Sequence, residues 1–162
     1  MTEAAVVKIH HTIEQLRAMH SNVHGSQEQK WIQDRIADDE LKQIVLKLSI
    51  IAFHILSALE KNELTGIELA EKLCVTRGGI TRAAKKLSQY QLIKMNKHPD
   101  NRKNIYYALT DRGRQIALVH DKMHDSVKKS IVGSLTAKYS KAELEMVAEF
   151  LEDLYKLEKQ FN

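Results

Sequence analysis

Residues 64–87 read LTGIELAEKLCVTRGGITRAAKKL, two short helical patterns separated by the break Cys74-Val75-Thr76. In the second pattern apolar residues recur at intervals of three and four, which predicts one buried face of an α-helix. These residues are Ile80, Ala83, Ala84 and Leu87. The hydroxyl of Thr76 is suited to cap the start of this helix. The stretch therefore predicts a helix-turn-helix whose second helix begins after Thr76.

A hairpin signal follows the two helices. Residues 92–98 and 104–109 are strand-like runs, and the turn 99–103, PDNRK, is rich in residues that favour tight turns. Upstream, Ser49 precedes an apolar run, and downstream the string Leu-Thr-Asp-Arg-Gly ends at Gly113. Residues 49–113 therefore predict a winged helix-turn-helix. The expected fold class is mainly α, with a small β-hairpin as the wing.

Positive charge is concentrated on this unit. Between Lys72 and Arg114, eleven basic residues stand against two acidic ones, a local net charge of +9 in a chain whose overall net charge is +4. A basic patch on one supersecondary unit is typical of proteins that bind nucleic-acid phosphates. The outward face of the second helix is available for bases and phosphates, and Arg102 at the wing tip is suited to a minor groove. The candidate DNA-binding residues are Thr76, Arg77, Gly78, Thr81, Arg82, Lys85, Arg102 and Lys103.

The segment before this unit is predicted to be helical. Apolar positions at intervals of three and four form one stripe on a first helix. They are Ile9, Ile13, Leu16, His20 and Val23. Gly25-Ser26 is expected to break this helix, and residues 31–48 predict a second, less regular one.

Two helices are expected after the unit. The hydroxyl of Thr110 suits the N-cap of a long helix, which Gly133 and residues 136–140 should interrupt. Ser140 and Glu143 have the spacing of a capping box that opens a final helix. The apolar stripe of that helix is close to a heptad seam, so it either pairs with a partner chain or packs within its own chain.

Composition narrows the class of protein. The chain has 162 residues, 43% of them hydrophobic, and its one cysteine excludes an intrachain disulfide. No run approaches the roughly 20 apolar residues of a membrane span, and the start lacks the apolar segment of a signal peptide. We therefore expect a cytoplasmic protein. No enzyme motif is present, so catalysis is not expected, and Cys74 is expected to pack as a small apolar residue.

Together these motifs resemble the MarR family of bacterial transcription regulators. The matching residues are Leu48-Ser49 with Ile55-Leu56, Leu69-Ala70, Thr76 with Thr81-Arg82, and the strings 100–102 and 109–113. The resemblance implies a homodimer with a helical base, built from about residues 1–48 and 114–162, and two winged lobes that bind a palindromic operator in double-stranded DNA. One departure is Gln91, which stands where the family usually has glycine before the first wing strand.

Histidines suggest what controls DNA binding. His120 and His124 are four residues apart, so both lie on one helical face and can chelate one metal ion. The chain also resembles the zinc-responsive adhesin competence regulator branch of the family. That resemblance implies a Zn²⁺ site formed by His54, His120 and His124, with His24 or His20 in place of the branch's first-helix carboxylate.

Other interpretations remain open at this stage. Each histidine has a structural role as its alternative, and the effector is then a small phenolic or other organic ligand held in a cleft. A regulator with some other control is a third reading. An adaptor that keeps the winged fold without affinity for DNA is a fourth, although the basic residues of the second helix argue against it.

Overall fold

The computed structural model describes residues 2–22, 24–98 and 101–160, except for the side chains of residues 2, 3, 17–22, 24–26 and 101–103. The elements in chain order are α1 Thr2–Asn22, α2 His24–Gln33, α3 Asp39–Val45, α4 Ile50–Ala58, β1 Leu64–Thr65, α5 Gly66–Lys72, α6 Arg77–Gln89, β2 Ile93–His98, β3 Asn101–Leu109, α7 Asp111–Lys138 and α8 Lys141–Gln160. The chain divides into two compact units, residues 1–123 and 124–162.

The three helices of the central motif begin at side-chain caps. Ser49 accepts a hydrogen bond from the Ala52 N–H before α4, and Thr76 accepts one from the Gly79 N–H before α6. Thr65 and Glu68 form a complete capping box at the start of α5. These bonds satisfy N–H groups that the first turn of a helix leaves without intrahelical partners. The predicted N-cap at Thr76 is confirmed.

The wing belongs to a three-stranded antiparallel sheet with the order β1-β3-β2. The hairpin of β2 and β3 was expected, whereas β1 was not, because its two residues were assigned to the following helix. Gln91 turns the chain into the wing with a φ of 55°, the left-handed conformation that glycine adopts without strain. The departure from glycine at this position therefore leaves the turn in place.

The core of the first unit gathers the apolar faces of α2 to α6. The buried face predicted for α6 is confirmed, since Ile80, Ala83, Ala84 and Leu87 are all buried. Around it lie Ile32, Leu41, Phe53, Ile55, Leu56, Leu69 and Ile116. No single helix in the described part of the chain is long and apolar enough to cross a membrane; α3 and α4 pass that test only as a pair bent by 119°.

The start of α7 fits tightly against the first wing strand. The Thr110 hydroxyl accepts a hydrogen bond from the Gly113 N–H at 3.1 Å and donates one to the Gln91 carbonyl at 2.8 Å. A side chain on Gly113 would overlap the backbone carbonyl of Leu92. The closing Leu-Thr-x-x-Gly string is therefore a packing requirement, because only glycine allows this approach.

Three predicted helix boundaries were wrong. Gly25 and Ser26 lie inside α2, which begins at His24, whereas α1 ends at Asn22. The expected second helix over 31–48 is divided by a turn before α3, which Asp38 caps. Gly133 does not interrupt α7, which continues to Lys138. At Gly25 and Gly133 the neighbouring helix-forming residues outweigh the cost of glycine in a helix.

The second unit contains the end of α7 and the whole of α8. Ser140 opens α8 through the predicted capping box, since its backbone N–H and its hydroxyl both donate to Glu143 Oε2, at 2.8 and 2.7 Å. Large apolar side chains are exposed along both helices. They include Val127, Ile131, Leu135, Met146, Val147, Phe150, Leu151 and Tyr155.

We expect Gly113→Ala to lower the free energy of unfolding by about 3 kcal/mol or more, because the added methyl group must displace the Leu92 backbone. Gly133→Ala is the matched control in the same helix, where nothing lies within 4 Å of an added Cβ. It should instead raise stability by about 0.5–1 kcal/mol. Urea denaturation followed by circular dichroism measures both effects, and equal effects of the two substitutions would contradict this account.

Candidate DNA-binding face and histidine cluster

The outer face of α6 carries the polar residues that the sequence assigned to DNA. Arg77, Thr81, Arg82 and Lys85 are all exposed. The Thr81 hydroxyl donates to the Arg77 carbonyl at 2.9 Å, within the helix itself. Because the side chains of Arg102 and Lys103 lie outside the described residues, their contacts with DNA remain predictions.

The two adjacent glycines of α6 face opposite sides. Gly79 is buried, and a Cβ on it would lie 3.3 Å from Thr76 Oγ1 and 3.7 Å from Ile51 Cδ1. Gly78 is exposed, with nothing within 4 Å of an added Cβ. Gly79 therefore lies on the buried side of α6 beside its own N-cap, and Gly78 exposes its backbone on the outer face.

A hydrogen-bonded group ties the wing to the body of the motif. Glu63 accepts a hydrogen bond from Asn96 Nδ2 at 2.8 Å, and its other carboxylate oxygen lies 3.0 Å from His98 Nε2. His98 also packs edge-on against Tyr106, with the ring centroids 4.3 Å apart. His98 is exposed. Its pairing with Glu63 was missed, because nothing in the sequence spacing brings residues 63 and 98 together.

Three histidines converge where α4 meets α7. His54 lies on α4, and His120 and His124 lie on successive turns of α7; one ring nitrogen from each lies within 4.8 Å of the other two. The rings of His54 and His120 are tilted by 57°, with their centroids 5.3 Å apart. The sequence-predicted residues His54, His120 and His124 are thus brought together in the structure.

His120 is the buried member of the cluster. Its side chain is only 2% exposed, and its ring stacks on Phe53 with a centroid distance of 5.8 Å. Its Nδ1 lies 2.8 Å from Ser57 Oγ and 3.4 Å from Asp121 Oδ1. His54 is half-buried and His124 is exposed, so the cluster reaches from the core to the surface.

Two carboxyl groups lie beside the cluster. Burial raises the pKa of the Glu60 carboxyl, and the hydrogen bond and repulsion from Asp121 raise this pKa further. Asp121 thus connects the Glu60 carboxyl with the ring of His120. This hydrogen-bonded surround is of the kind that orients metal-ligating histidines.

The remaining candidates do not join the cluster in the described residues. The side chains of His20 and His24 lie outside them, and His10 and His11 are exposed on α1. Cys74 was expected to be packed but is exposed, in a turn with a φ of 52°. A residue that the sequence did not single out is Glu28 on α2, which is 9% exposed and whose Oε2 has no hydrogen-bond partner in the described residues.

Comparison with known proteins agrees with this architecture. The sequence profile of the MarR family matches residues 48–105. The transcriptional regulator AdcR of Streptococcus pyogenes is 30% identical over 106 residues, which cover 65% of this chain and 71% of AdcR. The chain belongs to the MarR family. It also aligns with the regulator YvnA of Bacillus subtilis, at 29% identity over 82 residues, but spans only 52% of that relative's length.

Two solved structures share the fold of this chain. A crystal structure of the zinc-dependent MarR-family regulator AdcR in its Zn(II)-bound state is 28% identical, with a TM-score of 0.56; the match covers 67% of this chain and 74% of that one. The structure of Lactococcus lactis ZitR in complex with DNA has a TM-score of 0.69 at 23% identity, and the match covers 97% of each chain. At that identity the ZitR match supports the fold alone.

The capping box at the start of α5 gives stability that depends on pH. The backbone N–H and the hydroxyl of Thr65 donate to Glu68 at 2.7 and 2.8 Å, which lowers the pKa of Glu68. A lowered carboxyl pKa contributes stability that is present above the unfolded-state pKa and is lost as the pH falls through the folded-state pKa.

We therefore expect Glu68→Gln to lower the melting temperature at neutral pH by a few degrees at most, because solvent screens an exposed carboxylate. This difference from wild type should shrink as the pH falls below about 4.3, the ordinary glutamate pKa. Thermal denaturation followed by circular dichroism measures it, with Glu71→Gln on the same helix as the control. A difference that stayed constant down to the acid limit would contradict a role for the charge.

Proposed function

We propose that this chain is a sequence-specific transcriptional repressor that binds a palindromic operator as a homodimer under the control of Zn²⁺. The observation that carries the proposal is the convergence of His54, His120 and His124 within 4.8 Å, in a chain that belongs to the MarR family. The similarity to AdcR, a zinc-dependent MarR-family regulator, supports the same function.

The DNA-binding part of the proposal rests on the exposed face of α6. Arg77, Arg82 and Lys85 project from it without burial, and Thr76 begins the helix with its first turn directed outward. A helix of this kind enters a major groove with its first turns against the bases while the wing contacts the backbone beside it. In this proposal Arg102 and Lys103 of the wing contact DNA, with the Arg102 guanidinium in the minor groove.

The homodimer part rests on apolar surface that a single chain leaves exposed. In the second unit large apolar side chains of α7 and α8 are exposed, and α1 exposes Val6, Val7 and Leu16. Large apolar side chains exposed along a helix are typical of a protein interface. We propose that residues 1–48 and 114–162 form the dimerisation helices and 49–113 the DNA-binding unit of one MarR-like domain, with operator half-sites about 10 bp apart.

The donor set fits Zn²⁺. Neutral imidazoles are good ligands for this ion, and zinc sites in proteins take three or four protein ligands. When bound, zinc would supply a bond that holds α4 and α7 at a fixed separation. His24 and His20 remain the proposed candidates for a fourth ligand. Glu28, one helical turn after His24, is an additional one, because its Oε2 has no hydrogen-bond partner among the described residues.

Helix α4 gives the cluster a route to the recognition helix. His54 lies one turn after Ile51 on α4, and α4 packs directly against α6. A displacement of α4 would therefore be transmitted directly to α6. In this proposal zinc bound by the histidines favours the conformer whose recognition helices fit the operator. Zinc then tightens operator binding by its differential affinity for the two conformers.

We propose that the protein acts in the cytoplasm and has no catalytic activity.

Operator binding should weaken steeply as salt concentration rises, because each neutralised phosphate releases counterions. Lys85→Ala and Arg102→Ala should each reduce the slope of log affinity against log salt by about 1. Lys141→Ala removes the same charge from α8 and is the matched control. Fluorescence anisotropy with DNA from the chain's own promoter region measures the slopes, and identical slopes for wild type and Arg102→Ala would show that the wing role is wrong.

Protein purified without chelator should contain zinc, and added zinc should tighten its binding to the operator. His124→Ala should abolish this response, and because His124 is exposed, the substitution should leave folding intact. His120→Ala would instead open a cavity in the core, so it is a poorer test. His11→Ala, at an exposed histidine of α1, is the control and should respond like wild type.

Metal analysis and anisotropy with and without zinc measure these effects. Operator binding that is indifferent to zinc in the wild-type protein would contradict the metal control and leave an organic effector in its place. A full zinc response in His124→Ala would exclude this residue as a ligand.

A further inference from the structure

The hydrogen bond between Ser57 and His120 has a role beyond bringing the three histidines close together. Ser57 lies on α4, one turn after His54, and its Oγ is 2.8 Å from Nδ1 of His120. Both residues belong to the first unit of the chain. We propose that Ser57 holds His120 in the tautomer that can ligate a metal ion, a role that rests on the zinc site proposed above.

The tautomer matters because a neutral imidazole has only one N–H. When Nδ1 carries the hydrogen, it donates to Ser57 Oγ, and Nε2 keeps the lone pair that a metal ion needs. In the other tautomer the Ser57 hydroxyl donates to Nδ1, and the protonated Nε2 is not a ligand. Since Nδ1 is engaged with Ser57 in either case, Nε2 is the nitrogen that can bind metal.

A neighbouring carboxylate decides between the two tautomers. Asp121 Oδ1 lies 3.4 Å from the same Nδ1. An ionised carboxylate only accepts hydrogen bonds, so it favours the tautomer whose hydrogen is on Nδ1. The direction of the shorter bond follows: His120 Nδ1–H donates and Ser57 Oγ accepts.

The surroundings also fix the plane of the ring. Phe53 stacks on His120 with an interplanar angle of 23°, and the ring is almost completely buried. Stacking alone does not distinguish a ring from its flipped orientation, because the two ring faces contact Phe53 equally well. The hydrogen bond to Ser57 removes that ambiguity. Ser57 is therefore a positioning residue that acts through His120 and does not itself bind the metal.

The experiment uses the full-length protein and the variants Ser57→Ala and Ser57→Thr. Ser88→Ala is the control, because it removes a hydroxyl from a half-buried serine of another helix. Nitrogen-15 NMR of the imidazoles in metal-free protein reports the tautomer directly, at about pH 8, where an ordinary histidine with a pKa of about 6.5 is neutral. Competition with a chromophoric chelator gives the zinc affinity of each variant.

We expect His120 of the wild type to carry its hydrogen on Nδ1, and Ser57→Ala to show a mixture of both tautomers. Its zinc affinity should fall by about 10-fold, the lower end of the losses seen when such hydrogen-bond partners of metal ligands are removed. Ser57→Thr keeps the hydroxyl and should restore both readouts. If Ser57→Ala acted only through a general loss of packing, restoring the hydroxyl group in Ser57→Thr would not restore the tautomer and the zinc affinity.

Two results would overturn the proposal: a wild-type His120 with its hydrogen on Nε2, or a Ser57→Ala variant whose tautomer and zinc affinity both equal those of wild type. Wild-type protein that binds no zinc would instead refute the proposed metal control. The tautomer measurement would then still decide whether Ser57 sets the ring of His120, because it is made without metal.

Discussion

The burial of α4 is the constraint on which the rest of this structure depends. Nearly every residue of this nine-residue helix is apolar, and five of them are buried. The helix packs against α2, α5 and α6, and through Phe53 and Ser57 it also contacts His120 of α7. A helix that is apolar on all sides must be covered on all sides. The same requirement that builds the core therefore brings the histidine cluster and the recognition helix into contact with one element.

Much of the fold was predictable because its signals are local. The cap at Thr76, the capping box at Ser140 and Glu143 and the buried face of α6 each depend on residues within one or two turns of each other. The features that the sequence did not predict depend on contacts between residues that are far apart in the chain. Strand β1 exists only because Leu64 and Thr65 pair with Tyr107 and Tyr106 of β3. Gly113 could be matched to a motif, but its cause, the Leu92 carbonyl, is visible only in three dimensions.

The candidate site divides in the same way. Helical spacing alone gives His120 and His124 a common face, whereas the addition of His54 required a family resemblance, since it lies 66 residues before His120 in the sequence. No sequence pattern points to Ser57 or Glu63, because each acts on a residue more than thirty positions away. Glu28 was missed for another reason: a glutamate on a polar helix is usually solvated, and only its burial marks it.

His120 shows how this chain departs from what stability alone would select. An imidazole in a core costs free energy unless it is hydrogen-bonded, and an apolar residue of similar size would pack there without that requirement. The core instead retains a polar ring and supplies it with Ser57 and Asp121 as partners and Phe53 as a stacking surface. Polar residues that are buried in an apolar core and held there by several hydrogen-bonding or stacking partners are typical of functional sites. By the same reasoning the exposed basic face of α6 repels itself, and a partner with opposite charge relieves that repulsion. Neither feature is one that stability alone would select, and they are the two places where a metal ion and a DNA duplex would bind.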